Sequence, residues 1–213
     1  LVGSEMCIRD RVGSSLNGEN SGDKFGYSVD ISNNGNIIAV GAPFVPTPLG
    51  YQVGRVRVYE NISGNWIKIG QDLDGESAYD NSGESISLSA NGNIIAIGAV
   101  GNDAMFPTFN ASNRGHVRLY ENISGFWMQK AQDIDGVNQN DGFGNKVNLS
   151  SDGLTLAAGS TNLLSKVFRI SCGGCLDPYA LNYDSLAEFS DGSCVYIEGC
   201  TDSLAHNFNP NAG

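Results

Sequence analysis

An internal repeat of about sixty residues constrains the fold of this 213-residue chain more than any other feature. Residues 54–75 and 115–136 read GRVRVYENISGNWIKIGQDLDG and GHVRLYENISGFWMQKAQDIDG, at a constant offset of 61. A second segment occurs three times and begins at Phe25, Ser82 and Phe143. A chain built in this way stacks copies of one supersecondary structure, because each copy buries its apolar faces only against its neighbours.

Each repeat unit predicts four antiparallel strands. Val29 and Ile31 alternate with polar residues, which is the period of two expected of a half-buried strand. Asn-Gly or Asp-Gly pairs then supply the positive-φ residues of a tight hairpin. The second strand, residues 37–42 in the first unit, is a run of small apolar residues and predicts burial on both faces. After a loop of variable length, a third strand over residues 56–59 turns through Asn-Ile-Ser-Gly into a fourth strand that begins at Trp66.

The residues at the ends of the first two strands resemble the FG-GAP repeat of integrin α-subunit propellers. The matching positions are Phe25-Gly26 with Gly41-Ala42-Pro43, Ser82-Gly83 with Gly98-Ala99-Val100, and Phe143-Gly144 with Gly159-Ser160. The chain is also similar to repeat units of bacterial and algal surface proteins. This resemblance implies an all-β fold, a partial β-propeller of four-stranded antiparallel blades over residues 12–170. About 2.7 units are present, so the resemblance also implies further blades, since propellers close with at least about four.

The first eleven residues form a separate segment. Residues 5–10 read like the translation of a transposon end used in preparing sequencing libraries, and we interpret residues 1–11 as a sequencing-adapter scar. A natural N-terminus is the alternative. If the scar interpretation holds, the chain is a piece of a longer reading frame. We then expect the fourth strand that the last unit lacks to come from the upstream sequence.

Residues 171–213 form a second, cysteine-containing region. Residues 175–194 and 200–213 match at an offset of 25 and resemble tandem cysteine modules near the C-termini of secreted bacterial and algal proteins. Modules of about 25 residues cannot bury a sufficient core and usually need a disulfide or a metal. The resemblance therefore implies small, disulfide-stapled irregular modules in an oxidising compartment, the second of them truncated.

The module boundaries imply a disulfide between Cys175 and Cys194, with Cys172 as the competing partner of Cys194. The alternative is a zinc site made by four cysteines, namely Cys172, Cys175, Cys194 and Cys200. Four oxygen-bearing residues crowd the same short loop and form our hypothesis for a weak Ca²⁺ site: Asp177, Asn182, Asp184 and Asp191. The alternative role of these four residues is the capping of turns.

The repeat offers a second set of carboxylates after its fourth strand, in the Asp-x-Asp-Gly segments at residues 72–75 and 133–136. Integrin-like repeats bind calcium in the loop between the first two strands. That loop is a short hairpin here, so those ligands do not carry over. For the Asp-x-Asp-Gly segments we favour turn formation over metal binding. The recurring Trp66 and Trp127 are expected to pack between blades rather than to form a sugar platform.

Charge and residue content exclude several functional classes. With 12 Lys and Arg against 23 Asp and Glu, the net charge of −11 opposes binding to nucleic acid. No apolar run approaches the roughly 18 residues of a membrane-spanning helix. The only histidines, His116 and His206, are replaced in the repeats by Arg55 and Leu181, which predicts exposed positions without a catalytic role. We therefore expect no enzymatic activity.

The expected protein is secreted or displayed on the cell surface and acts in adhesion or extracellular recognition, with an extracellular protein or glycan as its ligand. This functional expectation follows from the resemblance, because a fold alone does not define a function. Two alternatives remain, an accessory propeller of a secreted hydrolase and a structural spacer. Calcium is the cofactor that we expect, if any is bound.

Overall fold

The computed structural model describes most of the N-terminal region and isolated parts of the C-terminal region. The described residues are 10–102, 113–162, 164–170, 173–174, 178, 180 and 189–190. The chain divides into two compact parts, Leu1–Phe168 and Arg169–Gly213. Every regular element among the described residues is a β-strand, which confirms the all-β expectation. None of those residues belongs to a helix long and apolar enough to cross a membrane.

The first sheet is formed by the first repeat unit. Its strands are β1 (Ser28–Ile31), β2 (Ile37–Ala42), β3 (Arg55–Ile62), β4 (Asn65–Lys68) and β5 (Leu73–Asp74). The order is β1-β2-β3-β4 with all neighbours antiparallel, and β5 pairs with the beginning of β3. The four expected strands are thus present. The two-residue β5 was not predicted, because it lies in the Asp-x-Asp-Gly segment that was interpreted as a turn.

The second repeat unit forms a sheet with the same pairing, and the third forms a shorter one. The second sheet contains β6 (Ser82–Leu88), β7 (Ile94–Ala99), β8 (His116–Ile123), β9 (Phe126–Gln129) and β10 (Ile134–Asp135). The third contains β11 (Lys146–Leu149), β12 (Thr155–Gly159) and β13 (Ser165–Arg169). The third strands are longer than expected. The hairpin turn that follows β3 is therefore reduced to Ser63 and Gly64, both at positive φ (53° and 83°).

Successive sheets meet through identical contacts. The Ser28 hydroxyl donates a hydrogen bond of 2.7 Å to the carbonyl oxygen of Gly83, linking the first sheet to the second. The Ser85 hydroxyl donates an equivalent bond of 2.6 Å to Gly144, linking the second sheet to the third. A Cβ on Gly41 would overlap the Gly83 carbonyl oxygen, so the small residues of β2 permit this close approach. We call this arrangement the sheet junction.

The apolar side chains of β6 form the core between the first two sheets. Ile86 and Leu88 are 8% and 7% exposed and belong to the main apolar cluster with Val56. Their equivalents in β1, Val29 and Ile31, are 60% and 53% exposed. The expected burial of the second strand is complete in β7 and partial in β2 and β12. The difference arises because only the second sheet has a neighbouring sheet on each face among the described residues.

Residues 12–26 also belong to the repeat, as the counterpart of residues 69–83. The indole nitrogen of Trp66 donates a hydrogen bond of 3.1 Å to the carbonyl oxygen of Val12, and that of Trp127 donates one of 3.2 Å to Ile69. The two Trp side chains therefore have the same partner position, as expected. Their burial differs, since Trp127 is 2% exposed whereas Trp66 is half-buried.

The backbone of Trp127 makes a contact that Trp66 does not have. The side chain of Gln71 donates a hydrogen bond to the Trp127 carbonyl oxygen and accepts one from the Trp127 amide. The equivalent position before Trp66 is Ser14, whose side chain is shorter. Trp66 therefore lacks the contact that clamps Trp127 in the next unit.

Little of the C-terminal part lies among the described residues. Its strands β14 (Gly173–Gly174) and β15 (Phe189–Ser190) pair in parallel. The proposed disulfide residues, Cys175 and Cys194, lie outside the described residues. So do all four candidate calcium ligands, namely Asp177, Asn182, Asp184 and Asp191.

Candidate functional site

Charged side chains collect at the end of each complete sheet where the third strand begins. In the first unit this group, the first charged cluster, consists of Glu19, Arg55, Arg57, Lys68, Asp72 and Asp74. Arg55 and Arg57 share one face of β3 because alternate residues of a strand point the same way. Arg55 donates to both carboxylate oxygens of Asp74 at 2.6 and 2.9 Å, and Arg57 donates to both of Asp72 at 2.9 and 2.8 Å.

The first charged cluster is electrically balanced, with three cationic and three anionic side chains. The hydrogen bond from Arg57 holds the pKa of Asp72 well below its usual value, against the opposing effect of burial. Glu19 also binds Arg57, which lowers the pKa of Glu19. The Asp-x-Asp-Gly carboxylates of this unit are therefore ion-pair partners, a role that the turn interpretation did not include.

The equivalent group in the second unit, the second charged cluster, has a different composition. It consists of Glu76, His116, Arg118, Gln129, Asp133 and Asp135, each at the position equivalent to the first cluster's residues in the same order. Arg118 lies 3.3 Å from Oε1 of Glu76 and donates to the Asp74 carbonyl oxygen at 2.8 Å. Gln129 donates to Oδ1 of Asp133 at 2.6 Å. Asp133 therefore has a neutral amide partner where Asp72 has Lys68.

The prediction that His116 is exposed is wrong. Its side chain is 1% exposed, and its Nδ1 lies 3.7 Å from Oδ2 of Asp133 and 4.0 Å from Oε2 of Glu76. Its Nε2 is buried without a hydrogen-bond partner. Burial, assisted by the charge of Arg118, lowers the pKa of His116 to about 3. The ring is therefore neutral at pH 7.

Several carboxyl groups around His116 are also perturbed. Burial raises the pKa of Glu76 and of Asp135, and nearby carboxylates add to both effects. Asp80 fixes the loop that carries Glu76, because its Oδ2 accepts the Glu76 and Ser77 amides at 2.9 Å each. Burial nevertheless raises the pKa of Asp80. Asp80 thus fixes the backbone of Glu76, while Arg118 is the charged partner of the Glu76 side chain.

Three of these side chains bring potential metal ligands together. One nitrogen or oxygen atom from each of Glu76, His116 and Asp133 lies within 4.8 Å of the others. The sequence interpretation did not group them, because His116 and Glu76 are 40 residues apart and the third member lies on another connection. The sequence does show that His116 stands where the first unit has Arg55. This difference was interpreted as variation at an exposed position.

An exposed apolar surface lies at the same end of the first sheet. It is formed by Leu49 and Tyr51 of the variable loop and by Tyr79 of the connection after β5, and we call it the loop surface. These side chains are 58%, 74% and 58% exposed. The Tyr79 amide donates a hydrogen bond of 2.8 Å to the Tyr51 carbonyl oxygen, which fixes the two segments side by side. Trp66 and Trp127 are not part of this surface.

Comparison with known proteins adds no relative to these observations. No protein-family model matches the chain. No curated protein matches it either.

Proposed function

We propose that residues 12–170 are a section of a β-propeller and that its sheets are successive blades. The supporting observation is the sheet junction, which recurs with the same residue types and with bonds of 2.7 and 2.6 Å between the first and second sheets and between the second and third. Ser28 with Gly83 and Ser85 with Gly144 are related by the repeat itself. A constant junction between consecutive antiparallel sheets is the geometry expected of successive propeller blades. The FG-GAP resemblance supports the same architecture.

We further propose that another blade packs against the exposed face of the first sheet. Val29 and Ile31 present to solvent the face that Ile86 and Leu88 bury in the next unit. Residues 12–26 already occupy the position of the connection that leaves a preceding blade. The natural occupant of this face is therefore another repeat unit of the same protein, packed through the same sheet junction.

The function we propose is non-enzymatic recognition of an extracellular protein or glycan by a secreted or surface-displayed protein. The loop surface carries this proposal. Exposed tyrosine rings supply a large apolar contact area together with a hydroxyl group, and such residues are enriched where proteins bind partners. The resemblance of the cysteine modules to those of secreted proteins supports the location outside the cell.

Binding of the labelled 213-residue chain to arrays of oligosaccharides and extracellular matrix proteins tests this function. We expect saturable binding to one ligand class and a loss of at least about tenfold in the double variant Tyr51→Ala, Tyr79→Ala. The matched control is Phe126→Ala. Phe126 is 65% exposed and begins β9, beside the turn that joins β9 to β8, at the other end of the strands. Equal binding by the double variant and the control would contradict the assignment to the loop surface.

The same arrays distinguish the alternatives. Release of soluble sugars from a bound oligosaccharide would contradict the non-enzymatic role, whereas binding confined to one polysaccharide without such release would favour an accessory propeller of a hydrolase. An absence of saturable binding on every array would favour a structural spacer. Thermal melting of each variant accompanies the binding measurements, since loss of binding counts only when the melting temperature is unchanged.

A further inference from the structure

We infer that Glu76, His116 and Asp133 form a divalent-cation site with an open coordination position. This site is separate from the loop surface and does not depend on the recognition function proposed above. It lies within the second repeat unit and its preceding connection.

The distances between the three side chains are close to those of a metal site. The Nδ1 atom of His116 lies 3.7 Å from Oδ2 of Asp133 and 4.0 Å from Oε2 of Glu76. Ligand atoms at about 2.0–2.1 Å around a tetrahedral zinc ion are about 3.4 Å apart. The carboxylate oxygens of Asp133 and Glu76 must therefore approach Nδ1 by about 0.3 and 0.6 Å, from an arrangement in which all three ligand atoms lie within 4.8 Å of one another. The side chains of Glu76 and Asp133 are 46% and 26% exposed and have room to make this adjustment. His116, which is buried, supplies the fixed ligand.

The hydrogen-bond geometry of His116 also points to a cation. A proton on Nδ1 would draw the facing carboxylates to hydrogen-bond distance, about 2.7–3.0 Å for a nitrogen donor. They lie farther away, and a carboxylate cannot donate to an unprotonated Nδ1. A cation between the three side chains accounts for the spacing at Nδ1, because it accepts the Nδ1 lone pair and attracts both carboxylates. Metal binding at Nδ1 places the ring proton on Nε2, which is buried and has no hydrogen-bond partner.

Equivalent positions in the two units also differ in their charge. The first charged cluster contains three cationic and three anionic groups and sums to zero. The second retains three carboxylates, but His116 replaces Arg55 and Gln129 replaces Lys68, leaving one cationic group and a sum of −2 with the ring neutral. Arg114 lies near Asp135 and offsets part of this charge. A bound divalent cation supplies the positive charge that the two substitutions removed.

The ligand set selects the class of metal. One imidazole nitrogen with two carboxylates suits zinc and similar transition metals, whereas calcium prefers six to eight oxygen ligands. Three protein ligands leave a fourth position for water or for an oxygen or nitrogen of a bound molecule. We therefore expect Zn²⁺ to bind with at least about tenfold higher affinity than Ca²⁺ at this site.

The test uses the full chain with its free thiols blocked by iodoacetamide, so that cysteines cannot hold zinc. His206→Ala leaves His116 as the only imidazole, since the chain has two histidines. Titration with Zn²⁺ is followed by NMR of the imidazole ring and by calorimetry. We expect one saturable site and a shift of the His116 ring signals that saturates with it.

Two variants in this background identify the ligands. Asp133→Asn should weaken zinc binding by more than about 100-fold, because loss of a direct ligand exceeds the roughly 10–100-fold cost of an outer-shell change. The matched control, Asp72→Asn, alters the equivalent aspartate of the first unit and should leave the zinc affinity unchanged. His116→Arg restores the residue of the first unit and should abolish the site while the fold persists.

Three results would overturn the proposal. The first is a ring spectrum of His116 that does not respond to 1 mM Zn²⁺, a measurement on the unaltered site that no folding defect affects. The second is an equal effect of Asp133→Asn and Asp72→Asn on the zinc affinity. The third is undiminished zinc binding by His116→Arg with a native circular dichroism spectrum.

Discussion

Gly41 and Gly83 lie in direct backbone contact across the junction of the first two sheets, and neither position has room for a side chain. A Cβ on Gly83 would lie 3.3 Å from the Cα of Gly41, and a Cβ on Gly41 would overlap the Gly83 carbonyl oxygen. The same relationship joins Gly98 to Gly144 at the next junction. The FG-GAP resemblance rests on these two glycine positions. Each unit therefore contacts the next one through them.

Substitution of the junction glycines should destabilise the protein for steric reasons alone. Gly41→Ala and Gly98→Ala should each lower the free energy of unfolding by about 2–3 kcal/mol, because the added methyl group overlaps backbone atoms of the next unit. Neither glycine has a positive φ, so no backbone strain is added. Urea unfolding at constant pH measures the change.

The equivalent glycine of the third sheet is the matched control. A Cβ on Gly159 would meet only Oγ of Ser165 at 3.6 Å and the Lys146 carbonyl oxygen at 3.9 Å. Gly159→Ala should therefore change the free energy of unfolding by less than about 1 kcal/mol. A cost as large as that of Gly41→Ala would show that the junction is not the cause.

The two tryptophans should differ in their contribution to stability. Trp127→Ala should cost about 3–5 kcal/mol, because Trp127 is 2% exposed and belongs to the main apolar cluster. Trp66→Ala should cost about 1–2 kcal/mol, since the half-buried ring has less apolar surface to lose. Urea unfolding compares the two variants directly. Equal costs would contradict the difference in burial between the two units.

The ion pair of Asp72 with Arg57 should be lost in acid. The folded-state pKa of Asp72 is lowered from 3.8, so the stability it contributes is complete above that value and declines as the pH falls below it. The difference in unfolding free energy between the wild type and Asp72→Asn should therefore shrink below about pH 4. Urea unfolding from pH 2.5 to 7 measures it. A difference that stays constant over this range would refute the ion-pair assignment.

His116 should give a separate pH dependence in the metal-free protein. Its folded-state pKa is lowered from 6.5 to about 3, so the unfolded chain binds a proton that the folded chain does not between these values. Stability should then rise with pH from about 3 to 7. Glu76 and Asp133 face the ring and favour its protonation, whereas burial and Arg118 oppose it and prevail. Relative to His116→Arg, the wild type should gain stability over this interval, measured by unfolding with a chelator present. A stability difference between the wild type and His116→Arg that does not change with pH would show that His116 is exposed to solvent.

The sequence predicted the strands well because its signals for them are local. Alternation at Val29 and Ile31, the Asn-Gly turns and the small apolar run of β2 each act within a few residues. The equivalence of residues 12–24 with residues 69–81 was missed, because the Trp contact that marks it is not visible in a weakly similar stretch. The second charged cluster was missed for a different reason. Its members come from β8 and two separate connections, so only the folded arrangement brings them together.

A tandem duplication tests the stacking of repeat units most directly. A second copy of residues 27–83 is inserted immediately after Gly83, which adds one complete unit without altering any other residue. In the longer chain, the second copy of Val29 and Ile31 should be buried as Ile86 and Leu88 are. Gly41→Ala in the first copy alone is the control, because it blocks only the new junction.

Urea unfolding of the duplicated chain is the deciding measurement. If the units stack as propeller blades, the chain should unfold in one transition, with a higher midpoint and a larger m-value than the original, because each added unit brings one more junction and more buried surface. The Gly41→Ala control should lose most of that gain. Two separate transitions, with the original midpoint unchanged and no effect of the control substitution, would contradict the account.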